Sequence, residues 1–175
     1  MNNTKPNPVG VDKAIDRIQT YVYDNWATVD FDFYGRVYKH EVNGRVLPLF
    51  YTSLRNYKEV LLNDNLDGIC FFNVSDSEQV SENGDVTSDC DIMFSINLSN
   101  LKGDTNRMDE EIKQELLETL YRFKGIFNIK EVIKGLESVY SEFNGVSDYF
   151  KNLQPYLHLR IKGEILYNFN LKCTS

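Results

Sequence analysis

Histidine is scarce in this 175-residue chain: His40 and His158 are the two, which excludes sites built on several imidazoles. Cysteine is scarce as well. Cys70, Cys90 and Cys173 are odd in number and widely spaced, which suggests neither a disulfide framework nor a zinc motif and fits a reducing cytosol. Ten Gly and four Pro exclude a fibrous repeat, and a 42% hydrophobic content is too high for a disordered chain. No uninterrupted apolar run approaches the roughly 18 residues of a membrane span, and residues 1–10 are Asn- and Pro-rich without an apolar signal core. A soluble, unsecreted protein is expected. Phosphate-binding loops, Gly-x-Gly-x-x-Gly runs and Gly-x-Ser-x-Gly elbows are all absent, so nucleotide and elbow-serine chemistry lack support and no cofactor is expected.

Basic charge is the other shortage. A formal net charge of −7 argues against nonspecific binding to DNA and to anionic membranes. Its distribution says more. Residues 59–101 hold nine acids (Glu59, Asp64, Asp67, Asp76, Glu78, Glu82, Asp85, Asp89 and Asp91) and neither Lys nor Arg. The preceding stretch, 36–58, holds five bases (Arg36, Lys39, Arg45, Arg55 and Lys58) against Glu41. The final stretch, 151–175, holds Lys151, Arg160, Lys162 and Lys172 against Glu164.

The length suits one domain, read as a flexible arm over 1–10 and a single domain over 11–175. Val11, Ala14, Ile15, Ile18 and Val22 recur at helical spacing and predict an amphipathic helix over 11–26. Asn43-Gly44, the dipeptide best suited to a type I′ turn, separates two β-prone runs, 33–42 and 45–51. A two-residue loop there pairs Val42 with Arg45, His40 with Leu47 and Tyr38 with Leu49, and sets Pro48 opposite Lys39. Because Pro donates no ladder hydrogen bond, its strand is expected at a sheet edge. Next come a short helix over 56–62, a strand over 68–74 and a long polar loop over 75–88. Ile92, Phe94, Ile96 and Leu98 alternate with Asp91, Met93, Ser95 and Asn97, predicting a strand with one buried and one wet face.

Asp104 or Thr105 caps a helix over 106–123, with Asp109, Glu110 and Glu111 in its first turns. The stripe Ile129, Val132, Ile133, Leu136, Val139, Tyr140 and Phe143 predicts a further helix over 129–143. A strand over 157–161 bends at Gly163 and resumes over 165–171. Strands joined without crossover helices imply an α+β fold in two layers, a mainly antiparallel sheet with amphipathic helices packed on one face.

Candidate chemistry is sparse. Both histidines sit on strand faces beside charges and read as solvated, and Cys70 lies in an apolar run and reads as core. Asp89 and Asp91 share a strand face, which admits acid/base or hard-cation chemistry, yet no third carboxylate joins them and the spacing is not that of an EF-hand loop. No metal site is assigned. Tyr21, Tyr23, Trp26, Phe31, Phe33 and Tyr34 form either core packing at the end of the first helix or an oligomer interface. The acid-only segment is either a solubilising loop or one half of a head-to-tail contact between subunits. The residues assigned to such a contact are Asp76, Glu78, Glu82 and Asp85 on one side and Arg36, Lys39 and Arg45 on the other.

A leading helix, an Asn-Gly hairpin, two strands flanking an acidic segment over 68–98, a helix over 106–123 and a late strand form an order that resembles the tail-terminator and head-to-tail joining proteins of tailed bacteriophages. The resemblance spans about 11–171 and is one of element order. It implies a non-catalytic virion protein made in the host cytoplasm and assembled as a homomeric ring, usually sixfold or twelvefold. Its loops reach identical subunits and other neck or tail proteins around a DNA channel, with neither sequence-specific nucleic-acid binding nor membrane contact. The alternative is a small cytosolic binding module or inhibitor whose acidic loop engages a basic partner. A third class, a hydrolase using Asp89 and Asp91, would need metal-dependent activity.

Overall fold

The apolar stripe of the first helix becomes a buried seam in the computed structural model, which describes residues 1–26, 31–53, 56–61, 65–101, 109–150 and 155–168. Helix α1 (Val11–Trp26) buries Val11, Ala14, Ile15, Ile18 and Val22 against a sheet of eight strands. Those strands are β1 (Asn2–Asn3), β2 (Phe31–Val42), β3 (Arg45–Ser53), β4 (Asn56–Glu59), β5 (Gly68–Val80), β6 (Asp85–Asn97), β7 (Phe127–Lys134) and β8 (Tyr156–Asn168). Helix α2 (Asp109–Tyr121) lies beside α1, and a single turn, α3 (Leu136–Val139), follows β7. The sheet order is β4-β3-β2-β5-β6-β8-β7, with β1 paired to β2. All pairs are antiparallel except β1 with β2 and β2 with β5. The fold is α+β, as the element order implies.

One face of the sheet is covered by α1 and α2. Phe33, Phe72, Ile92, Phe94, Ile161 and Ile165 fill the space beneath them, joined by Tyr23 and Trp26 packed edge-on to Phe33 and Phe31. The opposite face, expected to be wet, is half covered. Residues 136–150 fold back over it, burying Leu136, Val139, Tyr140, Phe143, Val146 and Phe150 against Tyr34, Phe71 and Met93. The molecule therefore has a third layer, and Asp91, Met93, Ser95 and Asn97 are buried.

Several predicted elements take another form. Residues 129–143 are strand β7 and the turn α3 instead of one helix. A bulge at Lys130 lets Ile129 and Val132, three apart, both face the helical layer, so a bulged strand mimics helical spacing. Residues 56–59 form edge strand β4, all exposed, so β3 is not an edge. Pro48 is tolerated because the β4 ladder begins at Leu49; its carbonyl still accepts from Val60 N at 3.0 Å. The expected loop over 75–88 is the far part of the β5–β6 hairpin, which bulges at 75–77 and turns at 81–84, with Gly84 at φ 82°. The N-terminal arm is tied down: β1 pairs with Phe33 and Tyr34, and Gln19 donates to Asn2 Oδ1 at 2.7 Å and to Asn3 O at 2.9 Å. β8 runs through Gly163 without a break. A Cβ there would stand 2.6 Å from Asn128 O and from the Phe127 ring, so glycine serves close strand approach, not a bend. The cap at Asp104 or Thr105, the start of the 106–123 helix and residues 169–171 lie outside the described residues.

Candidate functional site

Two hairpins part company at one end of the sheet. β2 lies beside β5 only as far as the pair Arg36 and Phe72. Beyond it, β2 continues with β3 to the Asn43-Gly44 turn, and β5 continues with β6 to the turn at 81–84. Because β2 and β5 are parallel, both turns lie toward the same end. A cleft of about 760 Å³ opens where they separate. β2 contributes residues 36–39 and β5 residues 73–77. The rest of its lining includes Asp89 and Asp91 of β6, Arg160 and Lys162 of β8, Lys130 of β7, and Glu142 of the covering segment.

Most charges in this cleft are closed on one another; Asp76, also in its lining, makes no hydrogen bond or ion pair among the described residues. Arg160 donates from Nε (2.9 Å) and Nη2 (2.5 Å) to Asp91 Oδ2, from Nη1 to Ser141 Oγ (3.1 Å) and from Nη2 to Glu142 Oε1. Glu142 Oε2 accepts from Lys39 Nζ at 2.6 Å and from Asn73 Nδ2 at 3.3 Å. Burial alone would raise Glu142, but hydrogen bonds and charge from Lys39 and Arg160 outweigh it and hold the carboxyl at about 2. For Asp91 burial wins, and its pKa lies above the usual value despite Arg160. Asp89 takes a different cation, Lys130 at 3.3 Å, so the two strand carboxylates do not work as a pair. Among the described residues no three His, Cys, Asp or Glu side chains gather as a metal-ligand set.

A second polar cluster lies beneath residues 136–150. Ser95 Oγ stands 2.8 Å from His158 Nδ1 and 2.5 Å from the Tyr140 hydroxyl, and Phe150 stacks on the imidazole. His158 is thus buried, against the solvated reading, because the covering segment lies over its face; His40 is exposed. A serine beside an imidazole is a nucleophile pattern, but both residues are sealed in the core, so here the pair satisfies buried polar atoms. Cys70 and Cys90 are buried free thiols whose pKa values burial pushes up, which leaves them inert.

The residues assigned to a subunit contact separate into two groups. The acidic ones line the arm formed by β5 and β6 beyond Phe72. Asp76 and Glu82 are exposed and make no hydrogen bond or ion pair among the described residues, whereas Glu78 accepts from the Tyr167 hydroxyl and Asp85 from Asn168 Nδ2, each at 2.9 Å. The basic ones are held by their own chain. Arg36 Nε lies 3.1 Å from Asp12 Oδ1, and Lys39 bonds Glu142; Arg45 is exposed beside the Asn43-Gly44 turn. Sequence reasoning missed Glu142, which it placed inside a helix, and missed that Tyr51 faces Tyr57, because that pair exists only once 56–59 is a strand.

Among the described residues no helix is long and apolar enough to cross a membrane. Comparison of the sequence with protein-family models finds no match. Comparison with curated proteins likewise finds none.

Proposed function

We propose that the chain is a non-catalytic assembly subunit whose acidic β5–β6 arm joins it to identical copies in a ring, as in the phage neck and tail rings that its element order resembles. One observation carries the reading: an arm bearing Asp76, Glu78, Glu82 and Asp85 and no base extends past the last β2 contact of β5, with Asp76 and Glu82 unbridged among the described residues. Exposed charge of one sign, left without partners at home, favours contact with a surface of the other sign. The use of the remaining polar groups supports the same reading. All three guanidinium nitrogens of Arg160 are engaged, Nε and Nη2 by Asp91 and Nη1 and Nη2 by Ser141 and Glu142, and Ser95 and His158 are sealed. In that setting the protein is made in the host cytoplasm, ends in the virion and touches other neck or tail proteins. Its acidic surface lets DNA pass unbound.

The test is the mass and projection of the purified full chain by light scattering and negative-stain imaging. A discrete multimer is expected, and changing Asp76→Asn, Glu78→Gln, Glu82→Gln and Asp85→Asn together weakens it and its salt dependence. The engagement of Arg36 and Lys39 by Asp12 and Glu142 favours the rival reading, an acidic module for a foreign basic protein. A monomer that binds such a protein at one to one would move the assignment there.

A further inference from the structure

The arm needs a receiving surface, and the cleft bases are already neutralised. Beside the cleft, three tyrosines of β2, β3 and β4 form a patch outside both hydrophobic cores. Tyr57 is 54% exposed and meets Tyr38 and Tyr51 edge-on, with ring centroids 6.2 and 5.3 Å away. The Arg36 guanidinium lies 5.1 Å above the Tyr38 ring and donates from Nη2 to its hydroxyl at 3.0 Å, while its Nε pairs with Asp12 Oδ1 at 3.1 Å. Tyrosine and arginine held rigid at a surface are the side chains that carry most binding energy in protein contacts, since little rotamer freedom remains to be lost.

The arm presents the complementary chemistry. Val80, at its end, is 63% exposed and flanked in sequence by Glu78 and Glu82, an apolar anchor between carboxylates. Its cross-strand partner Val86, on the same face of the pair, is buried, while Val80 at the strand end stays open to water. We infer that the tyrosine patch of Tyr38, Tyr51 and Tyr57 with Arg36 receives the Val80 arm of a second copy. Ring faces cover the valine, and phenol hydroxyls donate to Glu82, which makes no hydrogen bond or ion pair among the described residues. One chain carries both surfaces, and where the receiving copy passes its own arm on to a third the contact is head-to-tail and propagates into a ring or filament. The inference rests on the assembly reading and names its contact.

The experiment places photoreactive benzoylphenylalanine at position 57 of the full chain and mixes it with isotopically heavy wild-type protein before irradiation. The expected product joins position 57 to the 75–88 peptide of the heavy copy. Val80→Asp and Tyr57→Ser should each weaken self-association by at least about tenfold, and together by no more than either alone, because both remove one contact. Both positions are exposed, and far-UV circular dichroism confirms that each variant is folded. If the protein assembles but position 57 joins another segment or its own copy, or the two effects multiply, the tyrosine–arm contact is wrong and the assembly reading stands. A chain that stays monomeric at every concentration overturns both.

Discussion

The cleft and the arm draw carboxylates from the same acid-only stretch of sequence and treat them in opposite ways. In the cleft, Asp91 lies against Arg160, which also takes Glu142, which in turn takes Lys39. In the arm, a few residues away along the same two strands, Asp76, which also lines the cleft, and Glu82 make no hydrogen bond or ion pair among the described residues. The difference follows from solvent. A charge withdrawn from water needs a counter-charge and hydrogen bonds at once, so the fold imports bases from distant segments. A charge left in water needs none, and what the fold leaves unneutralised is what another molecule can read. Composition alone does not separate these roles; burial does.

The contrast breaks most visibly at Arg160. Arg160→Met leaves Asp91 and Glu142 facing each other without their shared cation, and should cost about 3 kcal/mol in urea unfolding. Replacing all three partners, with Asp91→Leu and Glu142→Gln added, should return stability to within about 1 kcal/mol of the starting protein, because no withdrawn charge is then left uncompensated. A single replacement costing no more than an arm substitution would erase the distinction between the regions. Next in size is Ser95→Ala. It strips the Tyr140 hydroxyl and His158 Nδ1 of a shared partner inside the core and should cost about 2 kcal/mol by the same measurement.

Acid sharpens the comparison further. The folded pKa of Glu142, about 2, lies below its ordinary 4.5, so its contribution is complete above 4.5 and drains away as pH falls toward 2. Asp91 has the opposite sign. Burial lifts it above 3.8, so its ionisation costs stability at every pH above the raised value, and protonation as pH falls from there toward 3.8 returns a little. Glu142 therefore governs the steep part of the acid limb. Because its side chain is about a third exposed, the effect is about 1 kcal/mol. Melting curves from about pH 5 to about pH 2.5 should be flatter for Glu142→Gln than for wild type. Glu110, held at about 2 by Lys113 and Lys134 on the surface, titrates in the same range, but added salt should remove its share and leave that of Glu142.

Local chemistry was legible where it decides alone. The Asn43-Gly44 turn dictates its register, and Val42 with Arg45, His40 with Leu47 and Lys39 with Pro48 are paired as read. The stripe of α1 likewise needs no distant information. Legibility fails where a remote segment decides. Asp91 to Asn97 read as half wet because the layer that buries their second face arrives more than forty residues later. The 75–88 region read as a loop because its β5 half is exposed and, Val80 apart, polar. Its β6 half is held by pairing with β8, a strand about eighty residues on in the sequence, with Val86 as its one apolar buried residue. The acids of the arm were visible in the sequence as a run of one sign. That Lys39 is answered by Glu142, 103 residues on, was not, since no spacing rule joins a β2 lysine to a glutamate in a covering segment.

The smallest expected effect on stability tests the other half of the contrast. Neutralising Asp76, Glu78, Glu82 and Asp85 together removes four charges, but among the described residues none has a carboxylate–base pair to lose, and the two hydrogen bonds at Glu78 and Asp85 are exposed. Unfolding free energy should move by no more than about 0.5 kcal/mol. A larger loss would mean that the arm's charges hold the fold together. A gain at low salt that vanishes at high salt would instead measure the mutual repulsion that the arm sustains while no partner is bound. Such a gain would place the arm among surfaces that spend folding stability on recognition, which the saturated Arg160 cluster beside it does not do.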